Sequence, residues 1–420
     1  MILTRRLFIG TSLAASSALA SPAVLAQARL HVVVIGGGAG GATVARHLAR
    51  DSGGALDVTL VETNPVYTTC FMSNLYLGGL RSYESLEHGY GAIGAGVTVI
   101  HDTATAVDRE RKSVTLAGGQ SLAYDRLVLA PGIDFVEDAV PGWSLEPHAG
   151  IMPHAYKAGP QTQLLKSMVE AMPQGGTFAL VAPPDPYRCP PGPYERVSMI
   201  ATLFKRTNPT AKILIIDPKE GFSKQTLFEN AWLKYYDGMI DWIGPDFGGD
   251  LVEVRPETME LVIDGEVQKV DACNVIPAQV AGRIAAAAGV TDDSGWAPVA
   301  PESLRSKIDE AVFVLGDSAL QGDMPKSASA ANSQAAVVVR AIRADLLGTK
   351  LRNADYANTC WSLLAPDDGV KLGGAYEATP EKIASVHHFI SEAHEDAALR
   401  KATYEESIGW YDGITADIFG

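Results

Sequence analysis

The sequence predicts an α/β protein with two Rossmann-like dinucleotide-binding units and a C-terminal α+β region. Three observations carry that reading. "LHVVVIGGGAGGATVARHLAR" (30–50) is a strand, a glycine turn and a helix. "AVFVLGDSA" (311–319) is a buried strand ending in Gly-Asp. Between them, "GGTFALVAPP" (175–184) and "AKILIIDP" (211–218) read as strands of a second sheet, with "RVSMIATLFKRT" as the crossover helix. Strands alternating with helices are the pattern of parallel sheets.

The chain of 420 residues is long enough for two or three sizeable cores, and 47% apolar composition is ordinary for a globular protein. Residues 1–26, "MILTRRLFIGTSLAASSALASPAVLA", read as an export signal rather than fold. Arg5 and Arg6 form a twin-arginine pair, followed by an apolar stretch and small residues up to a cut after Ala26. The alternatives are a chance arginine pair or an uncleaved anchor. Export would place the protein in the periplasm, already folded and carrying its cofactor. Losing the signal takes the formal charge from −15 to −17. Such a surface favours basic partners and argues against nucleic acid. No later stretch has the length of uninterrupted apolar sequence that an integral membrane segment needs.

In the first unit, Gly36, Gly38 and Gly41 fill the G-x-G-x-x-G slots that let a backbone approach a pyrophosphate at a helix N-terminus. "DVTLVE" supplies the second strand, and Glu62 at its end lies 21 residues past Gly41, where an acid binds ribose hydroxyls. "YDRLVLAPG" (124–132) is a further strand whose exit turn begins at Ala130. Gly316 and Asp317 then favour FAD over NAD, with Asp317 on the ribityl chain; alone, Asp317 reads equally as a helix N-cap. The helix expected over 324–342 points its N-terminus at the flavin, where negative charge builds on reduction. Lys326 beside it is an assistant to the flavin or a solvated lysine.

The second unit lacks its glycine loop. Its turn is "PPDPYRCPPGPYE", and proline has no N–H to offer a phosphate. Nicotinamide nucleotide binding is therefore expected to be lost, and a cysteine, Cys189, stands in the turn instead. The four cysteines, Cys70, Cys189, Cys273 and Cys360, form no C-x-x-C or C-x-x-C-H, so no haem, zinc or iron–sulfur site is expected in this chain.

From about residue 29 onward the chain resembles the flavoprotein subunit of flavocytochrome c sulfide dehydrogenase. The resemblance rests on "VIGGGAGGAT", "YTTCFMSN", "HGYGAI", "YDRLVLAPGI", "PHAYKAG", "RCPPGPYER", "FSKQ", "MPKSASAANSQ", "NTCWSLLAPDDG" and "GWYDGITADIFG", in that order. It implies a glutathione-reductase-like flavoprotein in which Cys70 bonds covalently to FAD, Cys189 and Cys360 form a redox-active disulfide, and Glu195 moves protons. Read without it, Cys70 is a buried loop thiol, Cys189 and Cys360 have no demonstrable pairing across 171 residues, and Glu195 is a helix cap. Cys273 reads as a small core residue. Ser329 departs from the family pattern, where a relative has an aromatic.

The resemblance also implies the chemistry. Hydrosulfide attacks the disulfide, two electrons pass to FAD, and a separate c-type cytochrome takes them singly. The domains expected are 27–150 and 270–345 for FAD, 151–269 for the second dinucleotide-like unit with Cys189, and 346–420 for Cys360 and the partner interface. Trp361, Trp410 and Tyr411 read either as interface aromatics or as ordinary packing. Arg188 reads as an anchor for anionic substrate or as a surface charge. The rival readings are a sulfide:quinone oxidoreductase, which needs an amphipathic membrane-docking tail where this tail is charged, a nicotinamide-linked disulfide reductase, which needs the missing loop, and a non-catalytic flavoprotein of a sulfur-oxidation complex.

Overall fold

The computed structural model describes residues 29–420, so the export signal lies outside the described residues. The first segment holds β1 (Leu30–Ile35), α1 (Gly41–Asp51), β2 (Leu56–Val61), β3 (Val97–Ile100) and β4 (Arg126–Leu129). The middle holds β5 (Thr177–Val181), α2 (Gly192–Thr207), β6 (Lys212–Ile216), α3 (Gln225–Tyr235), β7 (Ile240–Ile243) and β8 (Ala272–Val275). Then come β9 (Val312–Val314), α4 (Ala328–Leu347), β10 (Asp355–Ala365), β11 (Asp368–Ala378), β12 (Ile383–Ile390) and α5 (Ala397–Phe419).

Two parallel sheets organise the chain. The first has the order β9-β4-β1-β2-β3 and the second β7-β6-β5-β8. Their central strands are unbroken apolar runs because both faces are covered. Val32, Val33 and Val34 of β1 and Leu127, Val128 and Leu129 of β4 are all buried, as are Phe178, Ala179 and Leu180 of β5. Ile35 pairs with Val61 on one side and Leu129 on the other, so three strands end level. The glycine turn leaves from that edge, where open α/β sheets bind ligands.

The chain returns to the first sheet later than expected. Residues 272–275 were assigned to the first unit, but β8 pairs with β5, Phe178 opposite Ala272 and Val181 opposite Val275. The apolar run "ACNV" has the buried character of a sheet interior, and sequence alone does not say which sheet it joins.

The C-terminal sheet is antiparallel, in the order β10-β11-β12, and α5 packs on β11 and on α1. Arg46 of α1 donates to the carbonyls of Ala416 and Asp417. His47 Nε2 lies 2.9 Å from Asp417 Oδ1, and Asn332 Nδ2 of α4 donates to Asp417 Oδ2 at 2.8 Å. Tyr411 of α5 is internal packing: its hydroxyl donates to Ser85 O at 2.9 Å, and Arg81 lies over its ring.

The His47 hydrogen bond holds the Asp417 carboxyl down at about 2, against the opposing effect of burial, with Asn332 helping. A carboxyl depressed by folding adds stability above its unfolded pKa of about 3.9 and loses it as pH falls through the folded value. Between about pH 4 and 2, the thermal midpoint should therefore fall more steeply in the wild type than in Asp417→Asn, measured by circular dichroism melts across that range.

Candidate active site

The glycine turn is shaped by close approach. At Gly36, where φ is +100°, an added Cβ would stand 2.3 Å from Ala130 O, and at Gly41 one would stand 2.0 Å from Gly36 O. Neither space admits a side chain, so the backbone is left open to a ligand's phosphates. Gly38 borders the Tyr67 hydroxyl. Glu62 accepts from Gly37 N at 2.7 Å and from Asn64 N at 3.0 Å, placing its carboxylate at the end of β2 beside the turn. Ala130 closes the same edge through its N–H to Ile35 O at 2.9 Å.

Gly316 and Asp317 follow β9 in the first sheet. Asp317 Oδ1 is buried with no hydrogen-bond partner, while Oδ2 lies 3.8 Å from Arg188 Nη1. Burial pushes the Asp317 carboxyl up, against Arg188 and Lys326. A buried oxygen without a donor at this edge fits a ligand hydroxyl. The open glycine turn, Glu62 and this oxygen together fit a flavin dinucleotide. Lys326 is a fastener: its Nζ donates to Asp317 O and Ala319 O, both at 2.8 Å, and sits 3.7 Å from the Trp296 ring centre.

Beyond this cradle, three of the four cysteines line one pocket. Cys70, Cys189 and Cys360 share its wall with Glu195, Arg188, Tyr156, Trp361 and Trp410. All are free thiols in the structure, so the expected Cys189–Cys360 bond is not formed here. Cys273 is apart from them, fully buried in β8 within an apolar cluster, as a core residue should be.

The proline-rich turn holds Cys189 by its backbone. Its φ is +56°, its N–H donates to Lys326 O at 2.8 Å, and its carbonyl accepts from Gly192 N at 2.7 Å. The Tyr156 hydroxyl donates to Arg188 O at 2.5 Å. Arg188 is an interior residue, turned toward Asp317 and the Tyr156 carbonyl. Burial pushes the Cys189 thiol up, and Cys360, Glu195 and Cys70 push it the same way.

Glu195 in the first turn of α2 accepts from Asn74 Nδ2 at 2.7 Å and from Leu363 N of β10 at 2.9 Å. Burial raises its carboxyl, and those two donors oppose the rise. Sequence reasoning singled out Glu195 but missed Asn74, Lys224 and Asn358. All three lie inside quoted motifs, "YTTCFMSN", "FSKQ" and "NTCW", and that is the signal that marked them.

The second sheet's nucleotide crevice is filled by the chain itself. Asp217, fully buried at the end of β6, accepts from Tyr194 OH at 2.6 Å, Trp242 Nε1 at 3.0 Å and Lys219 Nζ at 2.6 Å. The Tyr194 ring stacks on Phe222 with centroids 3.6 Å apart. The acid at a position suited to ribose is spent on protein donors.

Family models match three stretches. Residues 162–277 match the central domain of the sulfide dehydrogenase [flavocytochrome c] flavoprotein chain, and residues 352–419 match the flavin-binding domain of flavocytochrome c sulphide dehydrogenase. The chain thus matches two domains of this family, consistent with a flavocytochrome c sulfide dehydrogenase flavoprotein subunit. Residues 30–158 match the broader pyridine nucleotide-disulphide oxidoreductase model. Among curated proteins, the mitochondrial sulfide:quinone oxidoreductase of Mus musculus is 25% identical over 73% of this chain and 68% of its own length. That of Dictyostelium discoideum is 23% identical over 77% and 72%. Among solved structures, the sulfide:quinone oxidoreductase of Aquifex aeolicus superposes with a TM-score of 0.68 at 18% identity, covering 93% of this chain and 92% of that one. A NAD-dependent persulfide reductase from A. fulgidus gives 0.62 at 18% identity over 91% and 77%. These likenesses show an α/β dinucleotide-binding fold with parallel sheets.

With the crevice plugged by Tyr194 and Phe222, NADH and NADPH should not bind. Titration of either nucleotide into the flavin-loaded protein should give no saturable change in nucleotide fluorescence and no bleaching of the flavin; saturable binding at micromolar nucleotide would contradict the filled crevice.

Proposed function

We propose that this protein is a periplasmic sulfide dehydrogenase flavoprotein that oxidises hydrosulfide through a Cys189–Cys360 pair and FAD and passes the electrons singly to a c-type cytochrome. One observation carries the reading. Cys70, Cys189 and Cys360, drawn from three distant parts of the chain, line one pocket with Glu195, in a chain with this family's central and flavin-binding domains. The first sheet is then the FAD domain, the second a dinucleotide-type domain that has exchanged its nucleotide for a thiol, and residues from about 346 the interface domain. Its edge strand β12 exposes Val386, Phe389 and Ile390, a surface suited to a protein partner.

Gly36, Gly38, Gly41, Glu62, Ala130, Gly316 and Asp317 would hold the dinucleotide, and Cys70 would tether it covalently. FAD, when bound, supplies a two-electron acceptor able to release electrons one at a time. The remaining steps belong to the chain. Hydrosulfide enters as an anion, drawn by the Arg188 guanidinium at the pocket wall. It opens the oxidised pair by thiol–disulfide exchange, forming a cysteine persulfide and a thiolate. Glu195, with its carboxyl raised by burial, is suited to take up and return a proton beside the pair.

A quinone acceptor is the second reading, favoured by the curated sulfide:quinone oxidoreductases that match most of the chain. Against it, α5 turns Tyr411, Ile414, Ile418 and Phe419 inward, leaving no apolar face for a membrane. No helix among the described residues is long and apolar enough to cross one.

Sulfide should reduce a c-type cytochrome through the purified protein, and not a water-soluble quinone at a matching rate. Cys189→Ser should lower that rate by about a thousandfold while FAD stays bound. Faster quinone than cytochrome reduction would transfer the assignment to the second reading. Acid denaturation followed by gel filtration should leave the yellow colour with the polypeptide in the wild type and release it in Cys70→Ser; free flavin from the wild type would exclude the covalent bond.

A further inference from the structure

Cys360 and Cys189 stand in different electrical settings, and two side chains outside the thiol pair make the difference. Asn358 lies two residues before Cys360 on β10 and is 1% exposed. Its Oδ1 accepts the hydroxyl of Ser327, the N-cap of α4, at 2.6 Å. That bond orients the amide so that Nδ2 faces Cys360 Sγ at 3.4 Å. A thiolate accepts such an N–H. A protonated thiol would donate instead to Oδ1 at the longer distance of 3.7 Å, an oxygen that also accepts from Ser327. A donor aimed at the sulfur favours the charged form.

Lys224 approaches from the other side. It precedes α3 in a left-handed conformation, φ +63°, and is buried. Its Nζ donates to Cys360 O and to Ser362 Oγ, both at 2.8 Å. The ammonium is thus anchored to the peptide group that carries Cys360. Burial lowers its pKa to about 8, while Cys360, Glu195 and Cys189 favour its charge. Cys189 lacks such a donor: among the described residues no hydrogen bond reaches its sulfur, and the guanidinium groups that bear on it are fastened to other oxygens, Arg188 to the Tyr156 carbonyl and Arg196 to Asn274 Oδ1 and the Ala155 carbonyl. The other titratable groups around Cys360 are Cys70, Tyr156, Arg188, Glu195 and Arg196 in the same pocket and Tyr376 of β11.

We propose that Asn358 and Lys224 polarise the thiol pair so that negative charge collects on Cys360, Asn358 by donating to the sulfur and Lys224 as a positioning cation behind its peptide. The proposal rests on the reading of Cys189 and Cys360 as the reacting pair, and it gives that pair a direction. The sulfur of hydrosulfide bonds to Cys189 Sγ, the Cys189–Cys360 bond breaks, its electron pair leaves on Cys360, and the hydrosulfide proton stays on the new persulfide. The thiol of lower pKa is the better leaving group.

The test is alkylation by iodoacetamide against pH, followed peptide by peptide by mass spectrometry in the flavin-loaded protein. Cys360 is read in a Cys189→Ser background and Cys189 in a Cys360→Ser background. At neutral pH Cys360, with the Asn358 donor at its sulfur, should react at least about tenfold faster. Asn358→Leu should slow Cys360 about tenfold at neutral pH and leave its limiting rate at high pH unchanged, a pattern that general disruption of the fold would not give. Lys224→Met should act in the same direction, and Lys224→Arg should restore the rate. If Asn358→Leu does not retain flavin, the nearly isosteric Asn358→Asp replaces the donor by an acceptor and should slow Cys360 further. Equal pH profiles for the two thiols, or a Cys360 profile untouched by the Asn358 variants, would overturn the proposal. Alkylation requires no sulfide, so absent sulfide turnover bears on the proposed function alone.

Discussion

One carboxylate joins the three parts of the chain that carry the pocket thiols. Glu195 sits six residues beyond Cys189, takes a hydrogen bond from Asn74, four residues beyond Cys70, and takes another from Leu363, three residues beyond Cys360. Each thiol is therefore placed relative to the same two oxygens. The interior tolerates this group because both donors are satisfied and their own segments are anchored. Arg196, the next residue, ties Asn74 and Asn274 into the same core, Nε to Asn74 Oδ1 at 3.2 Å and Nη1 to Asn274 Oδ1 at 2.7 Å. Losing Glu195 would remove both of these hydrogen bonds at once, and the proton-moving role proposed for it uses the same geometry.

The two sheets end in opposite kinds of turn. The first ends in a glycine turn that leaves space, and the second ends in a proline turn that occupies it. Proline restricts the backbone and withholds N–H groups, so this turn presents a side chain where its counterpart presents amides. Cys189 in a left-handed conformation is the outcome: a thiol projected from a rigid corner toward a strand that arrives from the far end of the chain.

Local chemistry was legible in the sequence, and long-range partnership was not. The glycine turn, Glu62 and the alternating strands announce themselves within short windows, because close approach and sheet burial demand particular residues there. Cys360 could be joined to Cys189 only through resemblance, since nothing in the 170 intervening residues encodes their meeting. The strand at 272–275 was placed on the wrong side of a boundary because a buried apolar run carries no mark of which sheet it enters. Lys224 and Asn358 passed unnoticed for a related reason. Their placement depends on Cys360 O for Lys224 and on Ser327 for Asn358, partners that only tertiary structure delivers. The missing nucleotide loop was visible, but its replacement was not: Tyr194 and Phe222 look like ordinary core aromatics until they are seen stacked against Asp217's partners.

That filled crevice keeps two electron reservoirs apart. On the proposed function, reducing equivalents taken from sulfide would have no entry to a nicotinamide pool through this crevice, because the barrier is steric. A hydroxyl, an indole N–H and an ammonium closed around one aspartate would serve there as insulation.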